Sequence, residues 1–516
     1  MSGIDISSIS VDHTTMGGML RWQAAHRPAE VAVVCAGKTR TWADLNSSVN
    51  RCANALLALG LSYGENVAAM LTNRLEYLDV YLACAKTGLS VTPINHHLAG
   101  AEVAHVVNDS GAKVLIHDAA KAPLIRDLVE TGAIRIAEDR VLEVSEAVSS
   151  FGSLISTVSD SEPDSPQITG EETFFIGYTS GTTGLPKGCV QKHRKFTEHY
   201  RLAAAVYPHR PGEIMLIPGP LFHEAPTLFT LAHLYMGGTI VLMQSFDPTE
   251  ALLQVQKHQC TSIGFGVPTM LDRMCDIGQI ADTSSVKMIT TGGAPLHAET
   301  MERTLNLFAN AELHEFYGAT EIGLVTDIRH RAEGRAGSCG RPVQGVSVAV
   351  LDDAGVPVAS GEKGGVYVTP LLMEGYLGND IATQAGIVVR NGVKWFTLDD
   401  IGFIDDEGFL HLVDRKSHMI ISGAENIYPA EVEAVLSEHP LIDDVAVVGA
   451  PDAKWGEIVV AVIVTQDDSL SLEDIRSFLD GRLAKYKWPR QIRRIDELPR
   501  TLSGKIQKHL IDISVL

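Results

Sequence analysis

The chain has 516 residues, 45% hydrophobic and 20% charged, which is ample apolar material for more than one core. Its formal net charge of -21 argues against nucleic acid or an anionic membrane surface as main partner. Seven scattered cysteines, odd in number and without a CxxC pair, argue against a disulfide framework or structural zinc and for a reducing, cytoplasmic compartment.

The first twenty residues have no basic stretch followed by an apolar one, so no secretory signal is expected there. "TWADLNSSVNRCANALLALG" carries apolar residues at helical spacing and stops at Gly60, "ENVAAML" reads as a strand, "EYLDVYLACAKTG" as a helix, and "SVTPIN" as a short strand. Such alternation predicts an α/β architecture with parallel strands. Residues 150–172, rich in Ser, Asp and Pro, read as an exposed connection. Strand-like runs follow in "TFFIGYT", "EIMLIPGP", "GTIVLMQ", "TSIGFGVP", "VKMITTGG" and "AELHEFYG", several ending in Gly or Pro turns. After about residue 414 the pattern changes to a compact segment of separate-domain size, with "IVVAVIV" (458–464) as a buried strand rather than a membrane span. Nine basic residues between Arg482 and Lys508, against two acidic ones, make a local anion-attracting surface in an acidic chain.

The stretch "YTSGTTGLPKG" (178–188) has the chemistry of a phosphate loop. Glycines let backbone amides approach phosphate oxygens, hydroxyls donate to them, and Lys187 adds charge. The Walker spacing is absent, because Gly188 follows Lys187. This loop, with "YGATE" (317–321), "GSCGRP" (337–342), "GFIDDEGFLHLVDRK" (402–416), "ISGAENIYPAEVE" (421–433) and "PRTLSGKIQK" (499–508), resembles the motifs of the adenylate-forming superfamily, in that family's order. The likeness falls in its acyl-CoA synthetase branch and covers the chain from about residue 170 to the end.

The resemblance implies a large N-terminal adenylation domain (1–415) and a small mobile α+β C-terminal domain (416–516) that turns about a hinge near Ser417. It implies a carboxylate–CoA ligase using ATP, Mg²⁺ and coenzyme A, which makes an acyl-adenylate and then a thioester. An apolar fatty, branched or aromatic acid is the expected substrate, and a homodimer is left open. Two other readings stand beside it: an acyl-AMP ligase loading a carrier protein, and a catalytically silent nucleotide-binding scaffold.

Residue by residue, the resemblance gives Thr179, Ser180, Gly181, Thr182, Thr183, Gly184 and Lys187 to the ATP phosphates. Glu321, with Thr179, would hold Mg²⁺. Tyr317 would stack on adenine, alongside Gly293, Ala294, Gly318, Ala319 and Thr320. Asp400 would accept the ribose hydroxyls next to Arg415, and Lys505 would be the catalytic lysine that bridges carboxylate and α-phosphate. Gly423, Trp455, Tyr486, Lys487, Trp488 and Arg490 match CoA-contacting positions; packing of the small domain is the competing role for the aromatics. "PLFHEAP" (220–226) would wall the acyl pocket, with His223 closing behind the carboxylate and Phe265, Gly293, Phe316, Gly323 and Leu324 completing an apolar slot. Glu224 is unusual for that wall and is expected to face solvent, the alternative being that it reads a polar group on the substrate. Three positions depart from the family pattern: Leu398-Asp399 replaces the usual Thr-Gly before Asp400, Ser417 replaces Asp or Lys, and Ala424 replaces a second glycine.

Overall fold

The computed structural model describes residues 15–511 apart from 147–148, 180–185, 208, 336, 371, 423–424, 453–454, 481, 484 and 501–505. Two largely parallel sheets dominate the N-terminal part, one nine-stranded and one seven-stranded. Their strands are buried on both faces and alternate between two cores, as a period of two requires. In the Ile214–Ile217 strand, Met215 and Ile217 enter the largest core while Leu216 enters a second one. In the Asn66–Met70 strand, Val67 and Ala69 join that same largest core and Ala68 a third.

The shared core is filled by helices caught between the sheets, chiefly Trp42–Ala58, Leu75–Thr87, His193–Val206 and Glu224–Tyr235. Outer helices such as Pro248–His258 and Gly100–Asp109 cover the remaining faces. The layers therefore run helix, sheet, helix, sheet, helix. The Trp42–Ala58 helix opens on a Thr41–Asp44 capping box, and Gly60 follows its end at φ 83°. The Leu75–Thr87 helix ends on Gly88 in the left-handed region at φ 73°.

A six-stranded antiparallel sheet closes the N-terminal part, with Asp400–Ile404 and Leu410–Arg415 as neighbours. A five-stranded sheet then starts at Ile420–Ser422 and carries Gly456–Val464 in its middle. Val459, Ala461 and Ile463 pack on one side of that strand and Val460 and Val462 on the other, so "IVVAVIV" is a strand buried on both faces. The helices Pro429–Leu436 and Leu472–Leu479 cover one face.

From about residue 157 the 150–172 segment is the exposed connection expected, and a short helix precedes it. Ser150–Ser156 is helical around buried Phe151, and the acidic stretch beyond it is strapped to the Trp42–Ala58 helix. Asn54 donates to the Ser159 and Ser161 carbonyls, and Arg51 pairs with Asp160. The reason is Lys86, whose side chain is fully buried and needs a counter-charge. Glu162 supplies it at 2.8 Å, with Asn46 and Asn50 accepting the remaining protons. Glu162→Gln should therefore lower unfolding free energy by about 1–3 kcal/mol, read as a lower urea midpoint at constant m-value. A change within about 0.5 kcal/mol would show that the strap is ornamental.

Candidate active site

The Thr173–Thr179 and Lys187–Lys192 strands form an antiparallel hairpin on the seven-stranded sheet, with Thr179 directly opposite Lys187. Of the loop between them, Ser180, Gly181, Thr182, Thr183 and Gly184 lie outside the described residues. The hairpin's end meets a second one on the nine-stranded sheet, made by Glu312–Ala319 and Gly323–Arg329. That second turn carries Thr320 and Glu321, and it is tight. A Cβ on Gly318 would sit 2.3 Å from the Gly323 carbonyl oxygen, and Gly323 itself has φ 70° with His199 packed on it.

Glu321 is buried, and its Oε1 accepts from the hydroxyls of Thr179 at 3.3 Å and Tyr376 at 2.9 Å. Lys187 lies 5.4 Å over the Tyr376 ring. Carboxylate and hydroxyl oxygens from both sheets thus converge beside a lysine. This donor set suits a hard divalent cation that keeps most of its coordination for water and phosphate. No cluster of three or more His, Cys, Asp or Glu side chains able to hold a metal exists among the described residues. Sequence reasoning does not reach Tyr376, which belongs to none of the motifs. Sheet pairing with Cys189 brings it in.

On the other side of "YGATE", the Tyr317 hydroxyl donates to Asp400 Oδ2 at 2.5 Å, and Arg415 Nε pairs with Asp400 Oδ1 at 3.2 Å. Asp400 and Arg415 face each other across one ladder of the antiparallel sheet, so register fixes the pair. Asp399, in place of the expected glycine, has φ 62°. Aspartate tolerates this left-handed conformation better than most side chains, so the departure keeps the turn. Ala294 is partly buried, while Gly293 has φ 79° and a Cβ built there would reach Phe265 at 3.6 Å.

The acyl-wall residues assemble around three phenylalanines. Phe265 and Phe316 lie 5.7 Å apart, and Phe229, which the sequence did not single out, lies 5.6 Å from Phe316. His223 precedes the Glu224–Tyr235 helix. It is exposed to solvent, yet the protein packed around it and the neighbouring His96 hold its imidazole down to about 4.

Glu224 corrects the expectation that it faces solvent. It opens the helix and turns inward, accepting from Gln191 Nε2 at 3.2 Å, with His199 Nδ1 at 4.0 Å. Its side chain is 9% exposed. Burial pushes its carboxyl up to about 8, and the charge of Glu321 adds to that.

In the C-terminal part, Lys505 and Gly423 lie outside the described residues. Arg500 and Ile506, flanking the former, pair in an antiparallel bridge, and Arg500 binds Asp444 at 2.6 Å. Ser417 lies in the short turn Lys416–His418. Arg490 stacks 4.1 Å over Trp455, and Tyr486 is exposed. Trp488 packs on the small-domain core with its Nε1 donating to the Leu483 carbonyl at 2.8 Å. Lys487 pairs with Glu431, and Glu431 also pairs with Lys363 from the N-terminal part.

Two motif-bearing hairpins that meet at Glu321, a Tyr317–Asp400–Arg415 group beside them and a trailing five-stranded sheet fit the layout of an adenylate-forming enzyme. The AMP-binding enzyme family matches residues 20–377, and the AMP-binding enzyme C-terminal domain matches residues 431–505. The chain belongs to the AMP-binding enzyme family, among its AMP-forming acid–CoA ligases. It is 36% identical over 507 residues to the long-chain-fatty-acid–CoA ligase FadD13 of Mycobacterium tuberculosis (strain ATCC 25618 / H37Rv), covering 96% of this chain and 97% of that one. It is 37% identical over 494 residues to a feruloyl-CoA synthase of Amycolatopsis sp, covering 94% and 96%. Its fold is similar to that of ATP-bound MatB from Rhodopseudomonas palustris, with TM-score 0.87, 26% identity, and 96% and 97% of the two chains covered.

The Glu224 carboxyl gives a pH signature. Its folded value of about 8 lies above the ordinary 4.5, so the native state holds more protons than the unfolded state between those values. Stability from this group is full below about pH 4.5 and is lost as pH rises through about 8. Glu224→Gln cannot ionise. Its stability relative to the parent chain should rise steadily across that window, measured by urea unfolding at several pH values; a flat difference would place the carboxyl in water.

Proposed function

We propose that the chain is an ATP-dependent carboxylate–CoA ligase acting on an apolar fatty, branched or aromatic acid. The convergence of Thr179, Glu321 and Tyr376 beside Lys187, one strand away from the Tyr317–Asp400–Arg415 group, carries this reading. It provides oxygen donors and a cation where a triphosphate would lie, and an aromatic ring and carboxylate where a nucleoside would lie.

Glu321 and Thr179 would hold Mg²⁺, which when bound neutralises phosphate charge. Lys187 and the loop beside it would hold the β- and γ-phosphates. Tyr317 would pack on adenine, and Asp400, oriented by Arg415 and the Tyr317 hydroxyl, would accept from the ribose. The substrate carboxylate then attacks the α-phosphorus: a carboxyl O–P bond forms, the bond to the bridging oxygen breaks, and pyrophosphate leaves. Lys505 would offset the charge of the two anions as they meet. The Phe229, Phe265 and Phe316 rings, with Leu324, favour an apolar acyl group on grounds of burial.

The second half-reaction places the CoA thiol on the acyl carbon and expels AMP. No protein thiol is required, and the seven cysteines are free and mostly buried. We assign residues 1–415 and 416–516 as the two domains, turning near Ser417. The change of sheet between Leu410–Arg415 and Ile420–Ser422 supports that boundary. Arg490 on Trp455 would meet the CoA nucleotide. No helix among the described residues is long and apolar enough to cross a membrane. The cytoplasm is the proposed compartment, with monomer or homodimer as the assembly.

The test is pyrophosphate release over short, medium, long-chain, aromatic and polycyclic acids, with and without CoA. Acid-dependent release with CoA thioester is expected; release without thioester would move the chain to carrier loading, and no release with any acid would leave a silent scaffold. Lys505→Ala should abolish acyl-adenylate formation while thioester formation from supplied acyl-adenylate is largely kept. Equal loss in both assays would remove Lys505 from the first step.

A further inference from the structure

Behind the Thr320–Leu324 turn lies a group of polar side chains with unused hydrogen-bonding capacity. Gln191 is fully buried, and its amide spends both protons, one on the Thr320 carbonyl at 2.8 Å and one on Glu224 Oε2 at 3.2 Å. That fixes the amide's orientation and leaves Gln191 Oε1 without a donor. His199 accepts from the Leu324 amide through Nε2 at 2.8 Å, so its proton sits on Nδ1. His199 Nδ1 has no acceptor within hydrogen-bond distance: Glu224 Oε1 stands 4.0 Å away and likewise makes no hydrogen bond, although the Thr320 hydroxyl bears on that carboxyl and favours its charged form. The His199 side chain is 5% exposed and that of Glu224 9%.

Leaving three such atoms unpaired in a protein interior costs on the order of 1–3 kcal/mol each. One small polar group can satisfy them together. A hydroxyl accepts from the imidazole N–H and donates to the Gln191 carbonyl oxygen; a carbonyl accepts from the imidazole and from a protonated carboxyl. Glu224 meets the second requirement, because burial keeps it in the acid form near neutral pH.

Position decides what that group belongs to. Gln191 and His199 are both bonded to the backbone of the segment that runs from Thr320 to Leu324, where carboxylate and phosphate would meet. Phe229, on the same helix as Glu224, faces the apolar wall instead. The cluster is thus a polar corner at the reacting end of an otherwise apolar slot.

We propose that Gln191, His199 and Glu224 form a polar subsite that receives a hydroxyl or carbonyl substituent of the acid close to its carboxyl group, making an oxygen-substituted acid the preferred substrate class. The proposal rests on the ligase reading above. It narrows the substrate from apolar acids in general to acids with an apolar tail and one oxygen function near the head.

The experiment compares kcat/KM for ATP-dependent pyrophosphate release within matched pairs: decanoate against α- and β-hydroxydecanoate and β-oxodecanoate, and phenylpropanoate against its β-hydroxy form. The wild-type chain should favour at least one oxygenated partner by about tenfold or more, because an unfilled polar site rejects the analogue that lacks the group. Glu224→Leu should collapse that ratio towards one, and Gln191→Leu should do the same by removing the acceptor. Should Glu224→Leu fail to fold, Glu224→Gln and Gln191→Leu still read the ratio, with the first retaining part of it. A wild-type preference for every unsubstituted partner, or a ratio unchanged in both leucine variants, overturns the subsite and assigns the three atoms to an internal water. Absence of release with every acid sinks the ligase reading first and the subsite with it.

Discussion

A single carboxylate joins the two large sheets at the place where the chemistry is proposed to occur. Glu321 comes from a turn of the nine-stranded sheet, while Thr179 and Tyr376, which donate to it, belong to the seven-stranded one. Hydroxyls are its observed hydrogen-bond partners, and Lys187 stands back over the tyrosine ring. Among the described residues the hydrogen-bond partners of Glu321 are neutral hydroxyls, which compensate a buried carboxylate poorly in a low-dielectric setting, and a divalent cation carrying phosphates would supply what is missing. The surrounding structure serves that meeting. Glycines at 318 and 323 let the turn come close enough, and the parallel strands beneath deliver it at their carboxyl ends, where open α/β sheets place their ligands.

The boundary between the two proposed domains is built differently. Asp414, just before the turn at Lys416–His418, accepts from the Ala430 amide at the start of the Pro429–Leu436 helix, at 3.0 Å. Lys416 reaches back to Asp353 at 3.0 Å, and Glu431 is shared by Lys363 and Lys487. Among the described residues these contacts are polar, and the Lys416–Asp353 pair lies at the surface, where an ion pair contributes about 0–1 kcal/mol. Polar contacts of this kind suit a domain proposed to turn between two half-reactions. Lys487 also cannot serve Glu431 and a CoA phosphate at once, so arrival of CoA and loss of this contact are coupled in the proposed cycle.

Much of the fold was legible because local rules and packing agree. The helices ending at Gly60 and Gly88 follow from apolar spacing and a left-handed stop, and the buried strand at 456–464 follows from a run too short to be anything else. The anchoring of the 150–172 segment is not legible, for the opposite reason. Its Ser, Asp and Pro content is that of a loop, but Lys86, some seventy-five residues earlier, needs its glutamate, and composition does not reveal such a pairing. In the site, residues within motifs could be named. Tyr376, Phe229, Gln191 and His199 could not, since each is brought in by sheet pairing or helix packing from a stretch with no signature of its own. Asp399 was visible as an irregularity, and its φ of 62° explains why the chain tolerates it.

Glu224 shows how such an irregularity becomes chemistry. Beside Glu321 and a proposed triphosphate, a second ionised carboxyl would add repulsion where the reaction already forces two anions together. Burial resolves the conflict by keeping Glu224 in its acid form, and the same burial turns it from an acceptor into a donor. An aliphatic residue there would also avoid the charge, with no orphaned neighbours to explain. That the chain instead surrounds a neutral acid with an imidazole and an amide, each holding one unspent hydrogen-bonding atom, means that the corner is built around hydrogen bonding and not merely around the exclusion of charge. In the proposed site, the apolar rings beside it would set how much of a tail can be buried, while this corner would set which end of the molecule carries an oxygen.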